Sequence, residues 1–525
     1  MRLGGPGTAN GGAVSAGTGR ARPEQAASER RARTRAASRG LARALMRAAL
    51  LGGVLLLGAC AGLVEKQASA PSTQSWAENS LTPAQRKEHE RLVTSYGGAY
   101  DNPKLQQQIE GVVNRLVAAS ERPDLHYHVT ILNSPVINAF ALPNGSLYVT
   151  RGLLSLASDN SELASVLAHE MAHVIANHAA TREDQMKQAV LVSRVISDVV
   201  NDSDLGALAL ARSRVSLASF SRGQELEADA IGVGISARAG FDPYGAERFL
   251  TTMGRQATLR STSTNPSAGA SADSPDFLSS HPATPERISI VMANAREYAS
   301  PDKPGERDRK QYMAAIDGLV YGDDPKEGFV RGRRFFHPKL GFTFTAPPGV
   351  TLENTSQAVL GASASGREAL RLDAVRVAGD QSLAQYLSSG WIEGVEISTV
   401  ESLVLNGFPA ATAVARGDQW SFRMFAIRFG SDVYRLIFAA RDLTPELDRA
   451  FREAAETFRR VSIEEADNVK PLRLRVVTAG LTDTPERLAA KMEVQDKALE
   501  RFLVLNGLER GDKLEYGEPY KIVAE

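Results

Sequence analysis

The stretch LASVLAHEMAHVIANH, residues 163–178, holds three of the chain's eight histidines, and His169 and His173 bracket Glu170 in an HExxH spacing. Leu163, Val166, Leu167 and Val174 recur at helical intervals, Asp159 precedes them as a cap, and Glu162 three positions on completes a capping box. The stretch is therefore expected to be a helix. Positions four apart on a helix lie about 40° apart in azimuth and one turn apart in height. Both imidazoles then leave one face, close enough to share an ion, and zinc accepts neutral imidazole nitrogen at about 2.0–2.1 Å. Glu170 points off that axis, so it is expected to reach a water beside the metal rather than the metal itself, which is the place of a general base. Taken alone, HExxH also arises in helices that bind no metal.

A zinc centre that does chemistry needs a third protein ligand and an open fourth position. SFSRGQELEADAIGVGISARAG, 219–240, supplies candidates on a second helix that stops at Gly240. Glu225 and Asp229 are again four apart on one face. Glu225 is long enough to ligate, whereas the shorter Asp229 is placed to accept the N–H of a ligand histidine. Glu227 points elsewhere, solvated or paired with an arginine. Arg222, one turn before Glu225, is either a donor to a developing oxyanion or a plain surface ion pair. His178 is expected about 140° further round the helix than His173, facing away in a structural role. A metzincin spacing would put its third histidine at 179, where the chain has Ala179. His281, in SSHPATPERI (279–288), has a route to the metal: it either occupies the open position and holds the site latent until substrate displaces it, or lies in a surface turn. His337, beside a proline, reads as a surface residue.

HEMAH followed about fifty residues later by SRGQELEAD resembles the gluzincin family of the CAAX prenyl protease and the HtpX peptidase. NAFALPNGSLYVTRGLL, 138–154, resembles the strand that this family carries above its active site, and the likeness covers roughly residues 85–295. The resemblance implies a zinc metalloendopeptidase with one Zn2+ per chain, held by His169, His173 and Glu225, with Glu170 as base. The chain has no apolar span of 18 or more residues, so it looks like the soluble periplasmic BepA-like branch, which works on outer-membrane protein assembly and quality control. The run Asn138, Ala139, Phe140, Ala141 precedes a Pro-Asn-Gly turn and has no charge. An edge strand there can pair with extended polypeptide through main-chain hydrogen bonds, a mode suited to unfolded or misassembled envelope proteins.

The elements that must hold these residues lie within 525 residues of zero net charge. That charge is uneven: residues 1–47 carry ten arginines against two glutamates, leaving the remainder at −8 and implying no nucleic-acid-binding face. The uncharged run at 48–59, AALLGGVLLLGA, is 12 residues long where a bilayer span needs about 20. Residues 1–59 therefore read as a secretory signal with a long basic segment, with Met46 a second candidate start. The run ends in LGAC, and Cys60, the only cysteine, resembles the lipidated residue of bacterial lipoproteins. Ala61, where some lipoproteins carry an inner-membrane Asp, points to the outer membrane. The expected setting is the bacterial cell envelope, lipid-anchored on the periplasmic face, with 60–80 as tether.

The fold class expected is α+β multidomain. A mainly helical peptidase domain with a small sheet, 81–300, contains a mobile loop at 259–276. An antiparallel α+β sandwich, 329–465, resembles the PsbP/Mog1-like family and shows no cluster of titratable residues. The tail, 472–525, runs strand, helix, helix, strand and resembles a LysM module, with Thr482-Asp483-Thr484 where that family usually has Gly-Asp-Thr. That resemblance implies peptidoglycan binding through 472–523; a regulatory cap is the alternative. The rival reading of the whole chain is an envelope chaperone or scaffold lipoprotein with a structural zinc.

Overall fold

The computed structural model describes residues 81–525 apart from 183, 186, 189–219, 262–276, 303, 356, 390–393, 469 and 495. The signal segment, Cys60 and the tether lie outside the described residues, as do positions 262–276 of the expected loop. Positions 259–261 instead end the helix Gly245–Ser261, with Leu259 buried. Among the described residues no helix is long and apolar enough to cross a membrane.

The small sheet has the order β1-β3-β2, built from β1 (His128–Leu132), β2 (Ala139–Ala141) and β3 (Ser146–Thr150). β1 runs parallel to β3, and β2 pairs antiparallel with β3 in the register Ala141↔Leu147, which leaves β2 at the edge. The turn between them needs Gly145: its φ is +85°, and a Cβ there would stand 2.2 Å from the His126 carbonyl oxygen. Behind the sheet lie the helix Asn160–Ile175, which carries HEMAH, and the helix Arg222–Arg238. The two approach closely because Gly232 has no side chain; a Cβ there would meet the His169 backbone nitrogen at 3.0 Å. Asp159 caps the first helix as expected, accepting from the Glu162 N–H at 2.9 Å. The return half of the box is shifted by one, for the Glu162 carboxylate accepts from Ser158 N–H at 2.8 Å.

Eleven strands form the sandwich. A seven-stranded antiparallel sheet has the order β10-β11-β12-β13-β9-β8-β7, from β7 (Val350–Asn354), β8 (Val359–Ser363), β9 (Glu368–Val375), β10 (Glu401–Leu405), β11 (Phe408–Arg416), β12 (Ser421–Phe429) and β13 (Asp432–Ala440). A four-stranded sheet, β14-β6-β5-β4, comprises β4 (Phe329–Arg331), β5 (Arg334–His337), β6 (Phe342–Thr345) and β14 (Arg459–Arg460). The β12–β13 hairpin closes through Gly430 (φ +66°) and Ser431, with Phe429 paired to Asp432. The helix Pro445–Glu456 presents Phe451, Ala454 and Ala455 to the apolar core beneath the sheets. His337 is not on the surface. It ends β5 at 8% exposure against Phe335 and Phe342, and its Nδ1 accepts from Leu340 N–H at 3.3 Å.

The tail returns to the first region. β15 (Arg473–Thr478) pairs antiparallel with β16 (Pro519–Ala524), and the helices Pro485–Ala489 and Ala498–Leu505 lie between them in sequence. Leu474, Leu488, Phe502 and Val523 belong to the same apolar core as Leu153, Leu167 and Phe249. Lys521, with no exposed surface, drives its ammonium into that junction and donates to the carbonyls of Ser155, Leu156 and Ala157 at 2.8–3.0 Å. Three acceptors take all three protons of the ammonium and close the end of the helix Arg151–Leu156, just before Asp159.

Candidate metal centre

His169, Glu170 and His173 sit on a helix that is buried from Asn160 to His173, and each of the three is only 3–5% exposed. Glu225 and Asp229 come from the helix Arg222–Arg238, and His281 from the turn after the short helix Phe277–Ser280. One donor atom from each of His169, His173, Glu225 and His281 lies within 4.8 Å of the others. His169 Nε2 is 3.1 Å from His173 Nε2 and 3.2 Å from His281 Nδ1. Glu225 Oε1 is 2.9 Å from His281 Nδ1 and 3.5 Å from His173 Nε2, while Oε2 is 3.6 Å from His169 Nε2. Four ligands about 2.0–2.1 Å from one tetrahedral centre stand roughly 3.3–3.4 Å apart, so these separations suit a single zinc ion.

Proton placement gives the same answer. His169 Nδ1 lies 3.0 Å from Asp229 Oδ1, somewhat off the line of an ideal hydrogen bond. For His169 to ligate, its proton stays on that nitrogen, and Nε2 is then a lone pair aimed at two more imidazole nitrogens and a carboxylate. Converging lone pairs repel unless a cation lies among them. Burial alone would lower His169; contacts with Asp229 and Glu225 outweigh it and lift the ring to about 9. Burial lowers His173 to about 3, with His169 and His281 adding to the effect against Glu225. Glu225 is buried, yet the three histidines around it hold its carboxyl far below the usual range. Glu170 is raised, by burial first, and its Oε1 has no hydrogen-bond partner. A buried carboxylate with a free oxygen and a raised pKa is suited to accept a proton from a reacting water. The donor set is right for zinc, and a bound ion would relieve the repulsion.

Arg222 does not reach the cluster. Its guanidinium pairs with Glu286, and its side chain is 74% exposed, which is the surface ion pair of the two readings. The arginine at the centre is Arg287, missed from the sequence. Its fork takes both oxygens of Asp229 at 2.8 Å, its Nη1 lies 2.8 Å from Glu225 Oε2, and the same nitrogen donates to the Pro282 carbonyl at 3.0 Å. One guanidinium thereby ties the carboxylate helix to the turn that carries His281. The only local signal was Thr284-Pro285 starting a helix, which places Arg287 in its first turn. His178 does not face away; it is buried with Nδ1 2.9 Å from His173 Nδ1. Glu227 has no arginine partner among the contacts described, and its carboxylate meets His178 Nε2 at 3.3 Å.

Above the centre, Asn138 is buried and donates to the Tyr96 hydroxyl at 3.0 Å, which fixes the start of β2. Ala139, Phe140 and Ala141 form β2, whose outer edge has no strand partner among the described residues.

The region thus combines a mainly helical fold with a small sheet, two helices presenting HExxH and ExxxD, and a buried His-His-Glu-His donor set. Residues 103–295 match the model of Peptidase family M48, and this stretch is a domain of that family. The chain is 34% identical over 214 residues to the beta-barrel assembly-enhancing protease of Yersinia pestis, a match covering 39% of this chain and 41% of that protein. The protein of the same name from Escherichia coli K12 is 32% identical over 213 residues, with the same coverage. Human mitochondrial metalloendopeptidase OMA1 is 27% identical over 176 residues, covering 32% of each chain. The chain thus spans about two fifths of the length of its bacterial relatives.

Proposed function

We propose that residues 81–300 form a zinc-dependent metalloendopeptidase in which His169, His173 and Glu225 hold one Zn2+, Glu170 is the general base and Asp229 orients His169. The observation that carries this reading is the convergence of four buried donor atoms beside a buried glutamate with an unpartnered oxygen. A zinc ion bound there supplies Lewis acidity and lowers the pKa of its water toward about 7. Glu170 takes the proton of the attacking water and passes it to the leaving amine. Asp229, gripped by Arg287, keeps the His169 proton on Nδ1 and so keeps Nε2 free to ligate. The edge strand β2 lines up an extended chain by main-chain pairing, which makes few demands on sequence.

His281 supplies a fourth protein donor, which accounts for latency: the site opens when the turn bearing His281 swings out. That turn is held by ring stacking on Phe277, centroids 4.5 Å apart, and by the Arg287 contact to Pro282. His281→Ala is expected to raise basal casein cleavage; unchanged cleavage would sink the latch. The names of the bacterial relatives, together with the signal-like leader, support envelope polypeptides, unfolded or misassembled, as substrates. They support as well a chain lipidated at Cys60 on the periplasmic face of the outer membrane. Palmitate labelling lost in Cys60→Ser tests that anchor. Glycan binding by the tail is carried by its strand-helix-helix-strand order, and pull-down on peptidoglycan tests it.

A second reading has its own support. Four protein donors are the mark of a structural zinc, and a scaffold lipoprotein would need no open position. Glu170→Gln separates the two: the enzyme reading expects casein cleavage to fall by about 10²–10⁴ at equal zinc content, whereas a scaffold shows no cleavage in the wild type.

A further inference from the structure

The helix bearing HEMAH stops at Ile175, and Asn177 takes the left-handed conformation at φ +58°. The chain reverses there, so His178 returns over the turn it has just left. It is 3% exposed, and its ring stands against that of His173 at 5.0 Å between centroids. Phe220 stacks on His173 with centroids 4.0 Å apart and lies 6.1 Å from the His178 ring. His178 is therefore fixed between His173 and the helix Arg222–Arg238, where Glu227 Oε2 lies 3.3 Å from its Nε2.

The protons in this chain of contacts have one consistent arrangement. His173 Nε2 faces His169 Nε2 and Glu225 Oε1, so it must be a lone pair for His173 to ligate. Its proton is then on Nδ1, which lies 2.9 Å from His178 Nδ1. Two nitrogens at that distance need one proton between them. His173 donates, His178 Nδ1 accepts, and the proton of His178 is left on Nε2, where Glu227 receives it. The geometry of the two helices shows why an imidazole is required. Glu227 is two residues beyond Glu225, about 200° round the helix, so its carboxylate cannot approach His173 directly. His178 bridges the gap.

We infer that His178 and Glu227 are positioning residues that set the tautomer and ring orientation of His173, just as Asp229 does for His169. Neither ligates the metal nor touches substrate. One helix thus supplies a ligand, Glu225, and the orienting carboxylates for both histidine ligands, one directly and one through a third histidine. The inference rests on the metal-centre reading.

The test uses the full chain and metal binding rather than activity. His178→Leu removes the acceptor, while His178→Gln keeps a carbonyl oxygen that can take the His173 proton. Zinc affinity is measured by competition with a chelator, and the ligand field by the visible spectrum of the cobalt-substituted protein. His178→Leu is expected to weaken zinc by about 10–100-fold and to shift the cobalt bands. His178→Gln should recover most of the affinity and the wild-type bands, and Glu227→Leu should show a smaller loss than His178→Leu. Equal affinity in all variants overturns the relay. Equal weakening by Leu and Gln also overturns it, by assigning His178 to packing alone. Failure of the metal reading looks different: the wild type would then bind zinc no better than His173→Ala.

Discussion

In the sandwich, Arg423 and Asp373 are 4% and 7% exposed. Arg423 donates to both oxygens of Asp448 at 2.6 and 2.9 Å, and Asp373 accepts from Arg371 and Arg435 at 2.7–2.8 Å. Each buried charge there meets its opposite. Around His169 the pattern differs: one nitrogen from each of three imidazoles and an oxygen of Glu225 converge within 4.8 Å, and Glu170 Oε1, which makes no hydrogen bond, lies 3.7 Å from His281 Nε2. Both regions bury ionic groups, which is costly in either place. Only one gathers four potential metal-donor atoms at one point, and that convergence, rather than burial, marks the site suited to a cation. The sandwich, for all its charged residues, is a closed structure with its own apolar cores.

Four measurements would sharpen or break this contrast. The largest effect is expected at Lys521, where the tail joins the peptidase core. Lys521→Met leaves three buried carbonyls without their donor and removes one of the cations acting on Glu162, which keeps Arg248 at 3.6 Å. It should cost about 3–5 kcal/mol, read as a lower Tm of the peptidase unfolding transition; an unchanged Tm would make the tail a separable module.

Next comes the acid sensitivity of the sandwich. Burial, with Lys339 adding to it, lowers His337 to about 4. The unfolded chain takes up this proton below about 6.5, while the folded one takes it up only below about 4. Stability from this group is therefore complete above the unfolded value, declines as pH falls through the interval and is gone below the folded value, about 3 kcal/mol in all. His337→Gln should flatten that decline in thermal melts of the full chain, without altering its zinc content. Zinc loss in that variant would couple the two regions and break the contrast.

A smaller change is expected from Gly232→Ala, which sets a methyl group 3.0 Å from the His169 backbone nitrogen. Forcing the two helices apart should cost about 1–3 kcal/mol and weaken zinc binding; neither effect would follow if the helices could slide. Arg222→Ala should change neither cleavage nor Tm, since its only described partner, Glu286, is on the surface. A fall in kcat would restore it to the reaction.

What could be read in advance depended on distance along the chain. The pairing of His169 with His173, and of Glu225 with Asp229, follows from four-residue spacing on a helix, and both pairs do share a face. The Asp159 cap was legible for the same reason: it is decided within a few residues. His178 was misplaced because a helical rotation was carried past Asn177, where the chain had already turned back. Asparagine adopts a positive φ more readily than most residues, but its type alone does not say when. Arg287 lies 58 residues from Asp229 and Lys521 more than 360 from the carbonyls it caps, and nothing local ties either to its partner.

The sequence alone brought out His169, His173 and Glu225 as candidate ligands, Glu170 as candidate base and Asp229 as candidate orienting group, because their types and helical phase are local properties. Only the tertiary structure decided that His281 enters the donor set, that Arg287 and not Arg222 stands at the centre, and that the tail shares the peptidase core. Those outcomes depend on which elements pack together, and packing is won by burying apolar faces over the whole chain rather than by any short run of residues.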